Sequence, residues 1–318
     1  MSTILVTGSE GNIGTYIVRR FSEKYPEAKI IRVGRKPRPA ENYYAGDLRR
    51  ADFVDKIFAQ HQIDYVIHTA AETYDAAIYK SSPYDIFAGD VLSLLNVLNA
   101  SRRSKKFVFL SSASVYEGSS QVPFKEELTS KIGFPTSPVG QSKFCGERAV
   151  TAFSKQYGVP YTIWRAFNVV SPLEPHLGSG GHVFVDFYRK LFVQQVKEIE
   201  IAGSGRQIRC FTWVEDLAWG VADFLHDNRT DNQVFNLGST QETALADLVE
   251  LLVSLGKKNN LLPKDYKPKI ITGGEFHGVD SKTRIPDTSK AREILQWQSQ
   301  TDVRNCFEKF IKAKAIQP

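Results

Sequence analysis

Cysteine is scarce in this 318-residue chain. The three present, Cys145, Cys210 and Cys306, are far apart and odd in number. That excludes a disulfide framework and a thiolate metal site, and it suits a reducing, cytoplasmic compartment. Long apolar runs are also missing. Nothing reaches the run of about 18 apolar residues that marks a spanning helix. The N-terminal apolar run Ile4-Leu5-Val6 is strand-length and leads straight into glycines, so it does not read as a secretory leader. Internal repeats and low-complexity segments are absent. The excess of positive charge is mild, +6 in all. Its clusters, Arg35-Lys36-Pro37-Arg38 and Arg102-Arg103-Ser104-Lys105-Lys106, interleave no aromatics over a long patch, which argues against a nucleic-acid partner. What is there fits a soluble globular protein: 42% hydrophobic and 24% charged residues, enough to bury a large core as one big domain or a domain plus a lobe.

Ile4-Leu5-Val6 reads as a buried strand, and Ile13, Ile17, Val18 and Phe21 recur at helical spacing. Between them lies Gly8-Ser9-Glu10-Gly11-Asn12-Ile13-Gly14, a Gly-x-x-Gly-x-x-Gly variant of the dinucleotide fingerprint. Glycine permits the tight turn and the close approach of backbone to a pyrophosphate at a helix N-terminus. A second strand, residues 29–33, ends at Gly34-Arg35-Lys36. NAD sites usually carry an acid there for the ribose hydroxyls; two cations in its place favour NADP(H) over NAD. A third strand, 65–67, ends at His68-Thr69-Ala70-Ala71, whose small residues let a cofactor pass over the backbone, with His68 read as a packed strand-end residue. Leu92, Leu95, Val97 and Leu98 read as core. So does the apolar face Phe144, Cys145, Ala149, Val150 and Phe153, in which Cys145 packs rather than reacts.

The stretch Ser137-Pro138-Val139-Gly140-Gln141-Ser142-Lys143-Phe144-Cys145-Gly146-Glu147 resembles the active-site segment of the extended short-chain dehydrogenase/reductase family, of the NAD(P)-dependent sugar-nucleotide epimerase, dehydratase and reductase type. That family reads Pro-Tyr-Gly-x-Ser-Lys-x-x-x-Glu there. Lys143 stands at the family's Lys, and Val139 stands where the acid/base Tyr is expected. Positions i and i+4 of a helix lie one above the other, so both can reach one cofactor face. Valine can neither give nor take a proton. The resemblance runs from Gly8 to Trp297 and implies roles for further residues. Asp47 and Leu48 fall at the adenine side, and Asp90 falls where the family usually has Asn. Ser112, in Ser111-Ser112-Ala113-Ser114-Val115-Tyr116, falls at the residue that bonds the reacting sugar oxygen. Ala113 and Ser114 replace the Asp-Glu of the 4,6-dehydratases, which points away from dehydration. Phe167 falls on the cofactor side of the Arg165-Ala166-Phe167-Asn168 turn. Asn168, Arg209 and Arg284 would bind the substrate diphosphate. His182, beside a Gly-rich loop at 178–181, falls in the segment that closes over the sugar, and Asp216 reads as a helix cap.

The implied fold is α/β: a Rossmann-type doubly wound parallel sheet with a smaller C-terminal α/β substrate lobe. Residues 1–170, with about 207–237, would form the cofactor domain, and about 171–206 with 238–318 the lobe. The implied function is hydride transfer between NADP or NAD and a nucleoside-diphosphate sugar, at C4, in a cytoplasmic homodimer with no metal and no membrane partner. Keto-sugar reduction is the preferred direction, because NADP(H) is the usual reductive cofactor and a ketone needs only a proton donor. The proton carrier in place of Tyr would be Lys143 itself, a water, Thr73, Tyr116 or His182. The alternative is a protein that keeps both binding sites without turnover, natural or an engineered Tyr-position variant.

Overall fold

The computed structural model describes residues 2–72, 81–174, 182–273 and 283–316. In chain order the first elements are β1 (Thr3–Thr7), α1 (Gly14–Lys24), β2 (Lys29–Gly34), β3 (Tyr43–Ala45), α2 (Ala51–Gln60) and β4 (Tyr65–His68). Then come α3 (Pro83–Ala100), β5 (Lys106–Ser112), α4 (Pro138–Tyr157), β6 (Tyr161–Ala166) and β7 (Val169–Val170). Seven strands form one parallel sheet, completed by β11 (Gln233–Leu237), in the order β11-β6-β5-β4-β1-β2-β3. Successive side chains of a strand face opposite sides, and the core divides accordingly. Ile4, Val6, Ile67, Val108, Leu110 and Trp164 pack on one face; Leu5, Val66, Phe107, Phe109 and Ile163 pack on the other. Burial on both faces is why these strands read as unbroken apolar runs rather than alternating ones. Chain order reverses beside β1, which pairs with β2 on one side and β4 on the other. The carboxyl ends there open a crevice suited to a dinucleotide.

Much of the remaining chain forms a second cluster around Phe184, Phe187, Leu191, Leu248, Leu252, Phe307 and Phe310. It takes in α5 (Val183–Tyr188), which runs on as a wider π turn over Arg189–Val193, a short parallel pair β8 (Glu198–Ala202) with β13 (Lys269–Gly273), and α7 (Leu245–Lys258). A three-stranded sheet sets β9 (Ile208–Cys210) between β12 (Glu242–Ala244) and β14 (Thr283–Arg284). α9 (Val303–Ile316) closes this part, whereas α6 (Val214–Ala222) and α8 (Ser289–Leu295) pack Leu217, Val221, Ala291 and Leu295 against the parallel sheet. Asp216 does not cap α6, whose N-cap is Trp213 without a side-chain bond. Its carboxylate instead accepts from Ser299, Gln300 and Thr301 and anchors the approach to α9.

Two sequence expectations need correction on α3. Val97 and Leu98 are buried, but Leu92 and Leu95 are 46% and 40% exposed. The helix repeat carries them past the seam with α4 to the outer face. No described helix is long and apolar enough to cross a membrane, and no described cluster of three His, Cys, Asp or Glu could hold a metal.

Candidate active site

The crevice holds two cavities, of about 320 and 340 Å³, whose walls share Gly8, Gly11, Ala70, Ala71 and Glu72. That is the scale of a small-molecule site. The outer one is lined by Glu10, Arg35, Lys36, Arg38, Tyr43, Asp47, Leu48 and Asp90 among others. The inner one is lined by Asn12, Ile13, Gly14, Thr69, Ser112, Ser114, Val139, Lys143, Asn168, Glu174, His182 and Arg284.

The glycine turn between them is sterically closed. A Cβ on Gly14 would sit 2.0 Å from the Gly8 carbonyl oxygen, and one on Gly8, where φ is +67°, would sit 2.8 Å from Ala70. α1 follows its N-cap Ile13 with no side-chain cap and no acid in its first turn, so no carboxylate competes with an anion there, while the Thr15 and Tyr16 amides already donate to the Gly11 and Ile13 carbonyls. The crevice, the uncapped helix and the small residues Ala70 and Ala71 together fit an extended dinucleotide.

At the outer end two of the three cations named in the sequence, Arg35 and Arg38, meet carboxylates. Arg35 donates to Glu72 at 2.6 Å and Arg38 pairs with Glu10 at 2.7 Å. Asp47 accepts from Arg49, whose hydrogen bonds hold its carboxyl below the usual range. His68 is buried, contacts Thr7 Oγ1 through Nδ1 at 3.0 Å and stacks on Phe107 and Phe109. Burial, with the Lys143 charge adding, pushes its imidazole down to about 3. It is a neutral packing group. The Cys145 thiol is raised by burial, which does not favour a thiolate.

The inner end is held by α4. Ser137 caps it, accepting from the Gly140 amide at 2.9 Å. Ser137 in turn donates its own amide and hydroxyl to Glu117. Val139 and Lys143 follow one turn apart, and both line the inner cavity. Glu147, the acid that ends the motif, accepts from Ser111 Oγ at 2.6 Å and from Arg165 at 2.9 and 2.7 Å, tying α4 to β5 and β6. Lys143 is 7% exposed; its Nζ donates to the Leu110 carbonyl at 2.9 Å and lies 4.9 Å from the centre of the Phe109 ring. Burial lowers its pKa, and the carboxylates of Asp90 and Glu147 oppose that. Asp90 accepts from the Glu72 amide and from Ser142 Oγ, and burial raises its pKa. Ser112 does two things at once. Its Oγ accepts from the Ser114 amide at 3.1 Å, a cap at the strand end, and it stands on the cavity wall.

Three sequence-named residues are placed differently. The Phe167 side chain is fully buried against Tyr116 and Phe124, its amide bonds Leu237 and its carbonyl bonds Thr212, so it lines neither cavity. Arg209 pairs in register with Arg284 across β9 and β14, but it is 5% exposed and donates to the Ile208 carbonyl; only Arg284 reaches the cavity wall. Tyr116 is fully buried, donates to Asn236 and accepts from Arg165, so its hydroxyl faces no cavity; burial moves its pKa up. Asn168 is on the wall with φ at +38°, its side-chain nitrogen donating to the Cys210 carbonyl at 3.0 Å. Thr73 and the glycines at 178–181 lie outside the described residues.

The sequence left Glu72 and Glu174 unremarked. Glu72 could have been found, since it follows the Ala70-Ala71 pair directly. Glu174 could not. It is 2% exposed, binds Asn12 and His182, and owes its role to contacts far along the chain.

The profile of the NAD dependent epimerase/dehydratase family matches residues 4–238. A putative UDP-glucose 4-epimerase of Methanocaldococcus jannaschii is 31% identical over 319 residues, covering 97% of each chain. The human dTDP-D-glucose 4,6-dehydratase is 27% identical, over 92% of this chain and 89% of its own. Among solved structures, UDP-glucose 4-epimerase from Thermotoga maritima, determined with UDP-glucose, superposes with a TM-score of 0.84 at 26% identity over 99% of both chains.

Proposed function

The chain belongs to the NAD dependent epimerase/dehydratase family, and from that premise we propose that it transfers hydride between a nicotinamide dinucleotide and C4 of a nucleoside-diphosphate sugar, reduction of a 4-keto sugar being the preferred direction. One observation carries this reading: Ser112, Val139, Lys143, Asn168 and Arg284 line one cavity, and that cavity continues into the glycine turn. The dinucleotide supplies the hydride donor or acceptor. Ser112 polarises the reacting sugar oxygen. Lys143 holds the nicotinamide end, exchanging its Leu110 carbonyl partner for a ribose hydroxyl. Arg284 and Asn168 meet the diphosphate, for which guanidinium geometry is suited. Arg209 supports Arg284 from the neighbouring strand. Asp47, Leu48, Arg35 and Lys36 take the adenosine half, and the two cations favour a 2′-phosphate, provided Arg35 leaves Glu72. A uridine nucleotide agrees with the name of the Methanocaldococcus relative. The protein acts as a dimer through the outer faces of α3 and α4.

A second reading has its own observation, the absence of any ionisable atom at Val139: a protein that binds both ligands without turnover. Titration with NADPH and NADH, then with a panel of nucleotide sugars, separates the two. A change at the nicotinamide absorbance band supports hydride transfer; tight binding of both ligands with no change supports the binding-only reading.

A further inference from the structure

We infer that His182, held by Glu174, is the proton carrier of the inner cavity, the part for which Val139 has no atoms. The inference rests on the hydride-transfer reading above and deepens it. Among the described residues on that wall, Lys143 and Ser112 already have tasks in that reading, and both, like Glu72, have partners in this structure. Lys143 Nζ is held by the Leu110 carbonyl, Ser112 Oγ is engaged by Ser114, and Glu72 holds Arg35. Tyr116 is off the wall altogether.

His182 is set up differently. Its Nδ1 lies 2.5 Å from Glu174 Oε1. A carboxylate accepts, so Nδ1 carries the proton and Nε2 is the ring atom left for a substrate oxygen. Glu174 is nine-tenths buried or more, at 2% exposure, and its other oxygen accepts from the Asn12 side chain, in the glycine turn. Its carbonyl accepts from Lys314 Nζ at 2.7 Å. The imidazole lies parallel to the Phe184 ring, 5.8 Å between centres and 9° between planes. The His182 carbonyl accepts the Val185 and Asp186 amides that begin α5. Edge, face and backbone are thus all fixed, which is the arrangement of a base oriented by a third group.

The step balances. In reduction, a pair of electrons arrives as hydride at the carbonyl carbon, the C=O π pair becomes an O–H bond, and the proton comes from imidazolium Nε2. The sugar is reduced and the dihydronicotinamide is oxidised. Neutral His182 regains its proton from solvent, to which its side chain is 63% exposed. Oxidation is the same step reversed.

The charged groups facing the ring are Glu174 and Arg284, with Lys143 and Glu72 on the same wall. Lost hydration opposes the imidazolium and Arg284 adds to that, but the Glu174 carboxylate outweighs both, so the pKa is raised. Reduction needs the protonated ring, so its rate is full below that raised pKa and falls as pH rises through it.

The test uses full-length protein, NADPH, and uridine and thymidine diphosphate 4-keto-6-deoxyglucose. Single-turnover hydride transfer is followed against pH, both ligand affinities are measured by calorimetry, and His182 is titrated by NMR. His182→Gln is expected to slow hydride transfer about 10²–10⁴-fold and to abolish the pH inflection, with both affinities unchanged. Glu174→Gln is expected to move the inflection and the NMR titration of His182 together to lower pH. A His182→Gln protein that keeps its rate and pH profile overturns the inference alone. So does one whose slower turnover is matched by an equal loss of sugar affinity. If the unaltered protein transfers no hydride to either sugar, the hydride reading and the inference fall together.

Discussion

At the scale of single residues, the decisive position is 139. A tyrosine there would begin within one helical turn of Lys143, on the wall of the same cavity. Val139→Tyr should therefore restore hydride transfer in the His182→Gln protein, by up to the about 10²–10⁴-fold that a positioned acid or base supplies, with dinucleotide affinity unchanged; stopped-flow absorbance at the nicotinamide band measures it. An unchanged rate would mean that proton transfer does not limit the step. Arg284→Leu should weaken nucleotide-sugar binding more than tenfold, about 1.4 kcal/mol, and leave NADPH binding alone, as read by calorimetry. At the outer end, Arg35→Ala should cost NADPH affinity and spare NADH. Equal losses for both would remove the basis for preferring the phosphorylated cofactor. Sequence was a good guide to local backbone: Gly8, Gly11 and Gly14 form the tight turn that their spacing implied. It was a poor guide to where Phe167 and Arg209 sit, because both are buried by contacts that a motif does not record.

At the scale of elements, α4 is the part whose position sets the chemistry. It is fixed at its start by Ser137 and Glu117 and in its middle by Glu147 on Arg165. The Glu147–Arg165 pair is nearly dry, at 9% and 3% side-chain exposure. Removing one partner of such a pair strands the other charge. Glu147→Ala should thus destabilise the protein by about 3–5 kcal/mol, measured by urea unfolding, whereas Ser137→Ala should cost about 1 kcal/mol as a lost cap. The elements themselves were largely legible. Apolar runs gave β1, β2 and β4, and helical spacing gave α1. The outer face of α3 was misread because Leu92 and Leu95 look like core in any one-dimensional pattern, and only the packing of α3 on α4 turns them outward. Glu174 escaped for the same reason in reverse: a lone acid before a proline has no local signature, and its partners Asn12 and His182 come from separate elements.

At the scale of the whole molecule, the account depends on two bodies of packing meeting at one crevice. The parallel sheet contributes Ser112, Val139 and Lys143; the segments after β6 contribute Asn168, Glu174, His182 and Arg284. The proposed dimer would use the exposed Leu92 and Leu95 of α3, so Leu92→Glu combined with Leu95→Glu should halve the mass seen in sedimentation; an unaltered chain that already sediments at 35.8 kDa would remove the dimer. The doubly wound parallel sheet was implied by the resemblance, but the Glu174 contacts that join the two bodies were not, since Asn12 and Lys314 lie more than a hundred positions from Glu174. The central claim is that this meeting forms a working redox site in spite of Val139. It is tested most directly by mixing the unaltered protein with NADPH and a panel of keto nucleotide sugars and watching the nicotinamide absorbance. Loss of that absorbance with one or more of the sugars is the predicted result. Tight binding of cofactor and sugar with no loss of absorbance, at any pH where the protein stays folded, would contradict it.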